Sequence, residues 1–314
     1  MRKYLSIFLI TVLLGGMTFS LSNPVLAEEI KIGVVIKTLS NPHWVTMKQG
    51  IEDMAKALGV TVEIGSVPSE SDVEAQLNLL ETMIEKGYQA LYVSPITPTN
   101  LLPGLKKATD KGIPIINVDE LIPNDIAEKA GVKIRCTVAS NNYDAGTIAA
   151  RYIIEALKGK GKVAVLEGQP GAKSGIDRKN GFIDTIKKEA KGIVVVSSQP
   201  ANWDRNKAFE VTTNILQAHP DLKAVFACND TMALGAGEAV KTAGKMGKII
   251  IIGVDGIPDA RQAIKDGLMT GTVAQYPYVM GQLGILSAYN VLKGKDWPKS
   301  MISPVQLLLK EDLK

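Results

Sequence analysis

Apolar runs rich in β-branched residues alternate with segments of helical period from residue 28 onward. Helical spacing of apolar residues is clear in DVEAQLNLLETMIEKG, AGTIAARYIIEALKG and KAFEVTTNILQAH. Strands that alternate with helices are typical of parallel sheets covered by helices, and nearly continuous apolar strands indicate burial of both faces. The predicted strands are IKIGVVI, TVEIGSV, YQALYVS, IPIINV, KVAVLE, IVVVSS, KAVFAC and KIIIIGV.

The pattern also repeats in a way that indicates two lobes. EIKIGVVIKTLSNPHW is answered by GKVAVLEGQPGAKSG, because each is a strand that leads into a loop and a helix. The polar stretch CTVASNNYDAG lies between the halves and predicts a crossover, and residues 28–314 suit two domains of ordinary size. The predicted fold class is therefore α/β, with two doubly wound parallel-sheet lobes and a crevice at the carboxyl ends of their strands.

Three polar crossovers are predicted to form a hinge between these lobes. They lie near Asn141 and Asn142, near Gln275, and before SPVQLLL. Turn-rich segments of this kind absorb backbone rotation while the lobes stay rigid, so we expect closure by a hinge motion. The predicted lobes are residues 28–140 with 276–302, and residues 141–275 with 303–314.

The first 27 residues have the character of a secretory signal peptide. Arg2 and Lys3 precede YLSIFLITVLLGGMTF, and Val25 and Ala27 occupy the small-residue positions before a cleavage point. A retained anchor helix is the alternative, and it is disfavoured because the apolar core is short for a bilayer span. We therefore expect export, with cleavage near Ala27.

Charge, cysteine and histidine content exclude several other classes of function. The net charge of +4 falls to +2 without the signal segment, too little to indicate a nucleic-acid partner. Cys136 and Cys228 lie in apolar strand-like runs and are interpreted as small buried side chains, although the sequence does not fix their separation and leaves a disulfide open. The two histidines, His43 and His219, provide no metal cluster, so neither a metal nor a cofactor is predicted.

Polar and aromatic residues follow the predicted strands at their carboxyl ends. Carboxylates and amides bind neighbouring hydroxyls, and a guanidinium supplies a rigid fork of donors. Indole rings can cover the two C–H faces of a sugar, so this mixture predicts a monosaccharide site between the lobes. The residues after the strands are Lys37, Asn41, His43, Trp44, Asp119, Glu120, Arg178, Trp203, Asn229, Asp230, Asp255 and Gln275.

Capping a helix or turn is the alternative role for each of these side chains. Asp230 opens DTMALGAGEAV where an N-cap belongs, so we interpret it as structural, whereas Asp119 and Asn229 are predicted to bind ligand. GQPGAKSG could hold a phosphate before a helix, but it lacks the Gly-Lys-Ser of a phosphate loop. No Ser-His-Asp order, nucleophile elbow or metal spacing appears, so an enzyme is disfavoured.

Several stretches together carry a resemblance to a known family, namely KTLSNPHWVTMKQGIED, SSQPANWDRNKA, CNDTMALGAGEAV, GVDGIPDARQAI and TVAQYP. From Glu28 onward the chain resembles the ribose-type periplasmic sugar-binding proteins that serve ABC transporters, and among them the D-allose-binding group. The resemblance implies the type I periplasmic binding protein fold, a monomer in the periplasm, a monosaccharide ligand and an ABC transporter permease in the inner membrane as partner. It implies no enzymatic activity, and a chemoreceptor is a further possible partner.

The same resemblance implies roles for individual residues. Trp44 and Trp203 match the aromatic faces that enclose the sugar, and Lys37 matches a ligand residue of the allose group. His43 replaces the usual Phe and is expected either to donate to a hydroxyl or to stack. Glu120 replaces an Arg of the ribose binders, which favours allose or a relative such as psicose over ribose. The implied hydrogen-bonding residues are Asn41, Asp119, Arg178, Asn229, Asp255 and Gln275.

Proteins with other functions share this fold. Transcription regulators of the lac-repressor type carry a DNA-reading domain in front of this fold, whereas a signal sequence stands there in this chain. A secreted sugar-modifying enzyme and a binder of another small polar ligand, such as an autoinducer, are the alternatives kept.

Overall fold

A computed structural model describes residues 29–314, so the predicted signal peptide and its cleavage point lie outside the described residues. Within this range the chain forms two six-stranded sheets. The strands of the first sheet are β1 (Lys31–Val35), β2 (Thr61–Gly65), β3 (Ala90–Val93), β4 (Ile115–Val118), β5 (Ile134–Ser140) and β11 (Ser300–Ser303). The strands of the second are β6 (Lys160–Glu167), β7 (Gly192–Pro200), β8 (Leu222–Ala227), β9 (Ile250–Asp255), β10 (Gly271–Ala274) and β12 (Gln306–Leu309).

Helices cover both faces of each sheet, and a sheet with its helices is called a lobe below. The first lobe contains α1 (Pro42–Leu58), α2 (Val73–Glu85), α3 (Leu102–Asp110), α4 (Asn124–Lys129) and α10 (Pro277–Leu292). The second lobe contains α5 (Asn142–Ala156), α6 (Lys173–Glu189), α7 (Arg205–Ala218), α8 (Asp230–Thr242) and α9 (Pro258–Lys265). None of the helices within residues 29–314 is both long and apolar enough to span a bilayer.

The order of the strands is the same in both sheets. The first runs β2-β1-β3-β4-β5-β11 and the second runs β7-β6-β8-β9-β10-β12. All neighbours in the first sheet are parallel, whereas β12 pairs antiparallel with β10 at the edge of the second. The doubly wound α/β prediction is confirmed, and the order places a ligand crevice beside the first strand of each lobe. The predicted strands did not include β5, β10, β11 and β12. The residues CTVAS, predicted as part of a crossover, form the end of β5, and β11 (SMIS) has only two apolar residues.

Close helix packing is repeated in the two lobes. A Cβ on Gly50 of α1 would lie 2.0 Å from the carbonyl oxygen of Tyr278 on α10. In the second lobe, a Cβ on Gly146 of α5 would lie 1.9 Å from the carbonyl oxygen of Arg178 on α6. Only glycine permits these approaches. The pair α1 and α10 in the first lobe and the pair α5 and α6 in the second therefore pack at a fixed, short distance.

The start of α1 follows the sequence prediction closely. Asn41 is the N-cap, and its side chain accepts a hydrogen bond from the backbone N–H of His43 at 3.0 Å. Pro42 occupies the first helical position, which suits its fixed φ and missing donor. The apolar residues Val45, Met47, Ile51 and Met54 predict the buried face of α1, yet Val45 is 49% exposed, so that face is narrower than the sequence pattern predicts.

The start of α8 corrects one prediction. The N-cap is Asn229, whose Oδ1 accepts from the backbone N–H of Met232 at 2.9 Å. Asp230 is the first helical residue, and its carboxylate instead accepts from the backbone N–H groups of Gly256 and Ile257. The prediction that Asp230 caps this helix is therefore wrong, because its side chain turns toward the loop after β9.

The two cysteines belong to different lobes. Cys136 lies on β5 and Cys228 follows β8, and both are buried and free. Their interpretation as small buried side chains agrees with the structure.

Candidate functional site

A cavity of about 290 Å³ lies between the two lobes at the carboxyl ends of their strands. That volume counts all space between the atoms and includes a part open to solvent; the room left for the centre of a water molecule is about 30 Å³, so the lobes enclose only a small space. Nine of the ten predicted site residues line the cavity, and the tenth, Gln275, lies behind it in contact with Asp255. The lining residues are Lys37, Asn41, His43, Trp44, Glu70, Asp119, Ser174, Arg178, Trp203, Asn229 and Asp255.

Trp44 forms the aromatic face of the first lobe. It is the third residue of α1, and its Nε1 donates to Oε1 of Glu70 at 3.0 Å. The His43 ring meets the indole edge-on, with the ring centroids 5.0 Å apart and the planes at 73°. The Lys37 ammonium lies 5.4 Å from the indole centroid. The indole is therefore fixed by one hydrogen bond and by two neighbours at the same turn.

Lys37 lines the cavity beside Trp44 and is buried among carboxylates. Its Nζ lies 3.3 Å from Glu120 and 3.6 Å from Glu70, and the whole residue is 2% exposed. Burial alone would lower the pKa of Lys37, but the charges of Glu120, Glu70 and Asp119 raise it above the usual value. The ammonium therefore stays charged and offers its donors in a desolvated site.

His43 and Asp119 form a second charged pair in the cavity. Nε2 of His43 lies 3.2 Å from Oδ2 of Asp119. Burial opposes charge on both groups, yet their mutual hydrogen bond raises the pKa of His43 and lowers that of Asp119 to about 2. Nδ1 of His43 points across the cleft and lies 3.8 Å from Asp255. It has no hydrogen-bond partner among residues 29–314, so it is available to a hydroxyl.

Arg178 anchors the polar wall of the second lobe. Its Nε donates to Asn142 at 2.8 Å, and its Nη1 donates to the carbonyl of Cys228 at 2.7 Å and to Asp255 at 3.4 Å. Gln275 donates to the same Asp255 oxygen at 2.6 Å. Hydrogen bonds from three sides thus fix the orientation of the guanidinium and of the carboxylate before any ligand arrives.

Trp203 forms the aromatic face of the second lobe by a different means. Its backbone adopts φ 63°, a left-handed conformation rare for a large side chain. A Cβ on Gly168 would lie 2.0 Å from the indole, and one on Gly175 would lie 2.9 Å from it. Its Nε1 is buried and has no partner within the described part of the chain. Gly168 and Gly175 of GQPGAKSG therefore make room for an indole, rather than for the phosphate considered from sequence.

Two further site residues with φ in the left-handed range stand directly at strand ends. Asp119 has φ 68° after β4, and Asp255 has φ 131° at the end of β9. Such conformations are costly for residues other than glycine and tend to persist at binding sites. They turn the two carboxylates into the cavity from opposite lobes.

Asp230 supports the second wall from below. It is fully buried, and it accepts from Gly256, Ile257 and Thr272 at 2.7, 3.0 and 2.7 Å. Burial, together with the neighbouring charge of Asp255, raises the pKa of Asp230 to about 7. Its structural interpretation agrees with these contacts, although the segment it holds is the loop after β9.

Two lining residues were missed from sequence. Glu70 lies five residues beyond β2, and Ser174 is the second residue of α6, so neither directly follows a strand. A search of whole strand-to-helix loops would have included both. Among residues 29–314, no three His, Cys, Asp or Glu side chains are grouped so that they could hold a metal ion.

Comparison with known proteins assigns the family. Residues 32–296 match the family described as periplasmic binding protein domain. The chain is 46% identical to the D-allose-binding periplasmic protein of Escherichia coli, over 91% of this chain and 90% of that one. It is 38% identical to the ribose import binding protein of Bacillus subtilis, over 89% and 87% of the two chains.

Solved structures agree with this assignment. A periplasmic solute-binding protein of an ABC transporter from Actinobacillus succinogenes, with bound D-allose, has a TM-score of 0.86 and 36% identity, covering 91% of this chain and 99% of that one. One from Agrobacterium vitis with bound D-fucose has a TM-score of 0.85 and 31% identity, covering 90% and 96%. Family model, sequence relatives and structures therefore agree, and the chain belongs to the periplasmic binding protein family.

Proposed function

We propose that the protein captures one monosaccharide between its lobes and delivers it to an ABC transporter permease. The observation that carries this proposal is a polar cavity between the lobes, faced by one indole from each lobe, Trp44 and Trp203, with charged hydrogen-bonding groups between them. Indole faces suit the C–H faces of a pyranose, and the charged groups suit its ring of hydroxyls.

The polar groups explain how such a site discriminates among sugars. Lys37, Asp119, Arg178 and Asp255 are each less than 10% exposed. Hydrogen bonds to charged groups contribute about 1.5–3 kcal/mol each, and an analogue without the matching hydroxyl leaves a buried group unpaired. We expect strong selection between epimers.

D-allose is the sugar that we propose first. The relatives from Escherichia coli and Actinobacillus succinogenes carry allose in their names, and Lys37 with Glu120 forms a buried ion pair in this chain. Relatives named for ribose import are also numerous, so ribose and psicose are the next candidates.

Delivery is proposed to depend on closure of the lobes about the three crossovers. Residues of both lobes face one ligand, so the ligand binds the closed form better and shifts the population toward it. A permease that contacts both lobes can then distinguish loaded from empty protein. Export as a monomer, signal cleavage near Ala27 and contact with a chemoreceptor belong to this proposal.

Calorimetry on refolded, sugar-free protein tests the function. D-allose, D-psicose, D-ribose and D-glucose form the panel, and we expect D-allose to bind most tightly. Small-angle scattering should show a smaller radius of gyration at saturation. Absence of heat for every sugar would overturn the proposal, and a product detected by NMR after prolonged incubation would favour a sugar-modifying enzyme.

A further inference from the structure

Glu120 is a buried carboxylate that accepts three hydrogen bonds from the opposite lobe without lining the cavity. It follows β4 in the first lobe and is fully buried, yet it does not line the cavity. Its Oε1 accepts from the backbone N–H groups of Lys173 and Ser174, and its Oε2 accepts from the Ser174 hydroxyl at 2.6 Å. These donors belong to α6 in the second lobe, so the contacts exist only while the lobes are closed.

The N-terminus of α6 lacks a cap from its own lobe. The N-cap residue is Ala172, which makes no side-chain cap, and the first turn contains no acidic residue. By contrast, Asn41, Asn141 and Asn229 cap their own helices. Glu120 therefore supplies both the missing acceptor and a negative charge at the positive end of the helix dipole, from the opposite lobe.

The first lobe holds Glu120 ready for this contact. Oε2 of Glu120 lies 3.3 Å from Nζ of Lys37. The side chain of Asn117 donates to the Glu120 carbonyl at 2.9 Å and accepts from the backbone N–H of Ile122 at 2.9 Å. The loop that carries the carboxylate is thus fixed within its own lobe, so little conformational freedom is lost when α6 docks.

We propose that Glu120 is a cross-lobe latch, a helix cap in trans that stabilises the closed state and slows release of the ligand. The proposal rests on the proposed function for its ligand, but the latch itself is a property of the two lobes. Because Glu120 forms its cross-lobe contacts only after closure, its loss should accelerate dissociation and leave association nearly unchanged.

Stopped-flow fluorescence with D-allose tests the latch in the variant Glu120→Gln. Gln keeps the shape but loses the charge, so we expect dissociation to rise about tenfold, consistent with hydrogen bonds to a charged group. The matched control is Glu167→Gln, since within residues 29–314 the hydrogen bonds of the Glu167 side chain are to Lys179 and Ser198 of its own lobe, so this variant should leave dissociation unchanged. A double-mutant cycle with Ser174→Ala should show coupling between positions 120 and 174.

A second measurement does not depend on the sugar. Spin labels placed one in each lobe report the closed fraction of ligand-free protein, and Glu120→Gln should lower it relative to wild type. Sugar binding with an unchanged dissociation rate in Glu120→Gln would overturn the latch and leave the proposed function standing. Failure of the whole sugar panel would overturn the proposed function, and the spin-label distances would then decide the latch, an unchanged closed fraction counting against it.

Discussion

The two walls of the cleft each present one tryptophan, but they hold it by different forces. Trp44 is fixed by a hydrogen bond from its Nε1 to Glu70 and by the edge of His43. Trp203 has no hydrogen-bond partner for its Nε1 among residues 29–314, and it is fixed by a left-handed backbone and by the space that Gly168 leaves. One wall therefore relies on polar contacts and the other on shape.

The charged groups of the two walls also differ in the partners that hold them. On the first wall, Lys37 and Asp119 are paired mainly with side chains that also face or border the cavity. On the second wall, Arg178 also satisfies the backbone carbonyl of Cys228 and the side chain of Asn142. The second wall is thus part of the framework of its lobe, and damage there should affect folding as well as binding.

Truncation of Arg178 should have the largest effect and expose this difference. Arg178→Ala should weaken sugar binding about 100-fold and lower the free energy of unfolding by about 1–3 kcal/mol, because buried acceptors lose their donor. Asp119→Ala should weaken binding to a similar extent with a smaller loss of stability. Calorimetry measures the affinity and urea unfolding measures the stability. Equal losses of stability in the two variants would contradict the claim that the second wall contributes more to folding than the first.

Filling the space beside Trp203 should come next. Gly168→Ala places a methyl group on the indole, and overpacking of this kind costs about 1–3 kcal/mol, so we expect binding to weaken about tenfold. The nearest indole atoms are ones that a phenyl ring lacks. The double variant Gly168→Ala/Trp203→Phe should therefore bind no worse than Trp203→Phe alone, and calorimetry that shows additive losses would contradict the role of shape.

The polar wall should give a smaller, pH-dependent effect. The pKa of His43 is raised in the folded protein, so its stabilising effect is complete below the unfolded value of about 6.5 and is lost as pH rises through the folded pKa. Burial lowers this pKa, as does the charge of Arg178, but the hydrogen bond and charge of Asp119 and the charge of Asp255 raise it. Wild type should thus lose more stability than His43→Phe between pH 6 and pH 9 in urea titrations. If the stabilities of wild type and His43→Phe changed in parallel with pH, the pair of His43 and Asp119 would not titrate between pH 6 and pH 9.

Asp119 should act at the opposite end of the pH scale. Its pKa of about 2 in the folded protein means that its stabilising effect is present above the unfolded value of about 3.9 and is lost as pH falls toward 2. Asp119→Asn should therefore flatten the acid limb of the stability profile measured by thermal unfolding. An unchanged acid limb would assign that loss to other carboxylates.

The smallest effect is expected at the third tryptophan. Trp297 lies outside the cavity and donates from its Nε1 to Ser287 at 2.9 Å within the first lobe. Trp297→Phe should leave the affinity unchanged and retain the fluorescence response to sugar. Loss of that response would show that Trp44 and Trp203 are not the indoles that sense the ligand.

The fold and most of the residues that line the cavity could be predicted from the sequence. Alternating strands and helices predicted two doubly wound lobes, and the same rule placed polar residues such as Asn41 and Asp255 at the carboxyl ends of strands. These are local or near-local properties, since strand periodicity and helix capping depend on residues a few positions apart. The resemblance to known sugar binders then singled out Trp44 and Trp203 as the two faces.

The partners of these residues could not be predicted, because they come from distant parts of the chain. Glu70 reaches Trp44 from another loop, and Gly168 clears space for an indole 35 positions later in the chain. Glu120 caps a helix of the opposite lobe, a contact between residues more than 50 positions apart. Periodicity carries no information about such pairs, because they form when separate elements pack. The sequence pattern therefore predicts where the walls of the site lie, whereas the packing of separate elements, mostly within each lobe, determines how each wall is held.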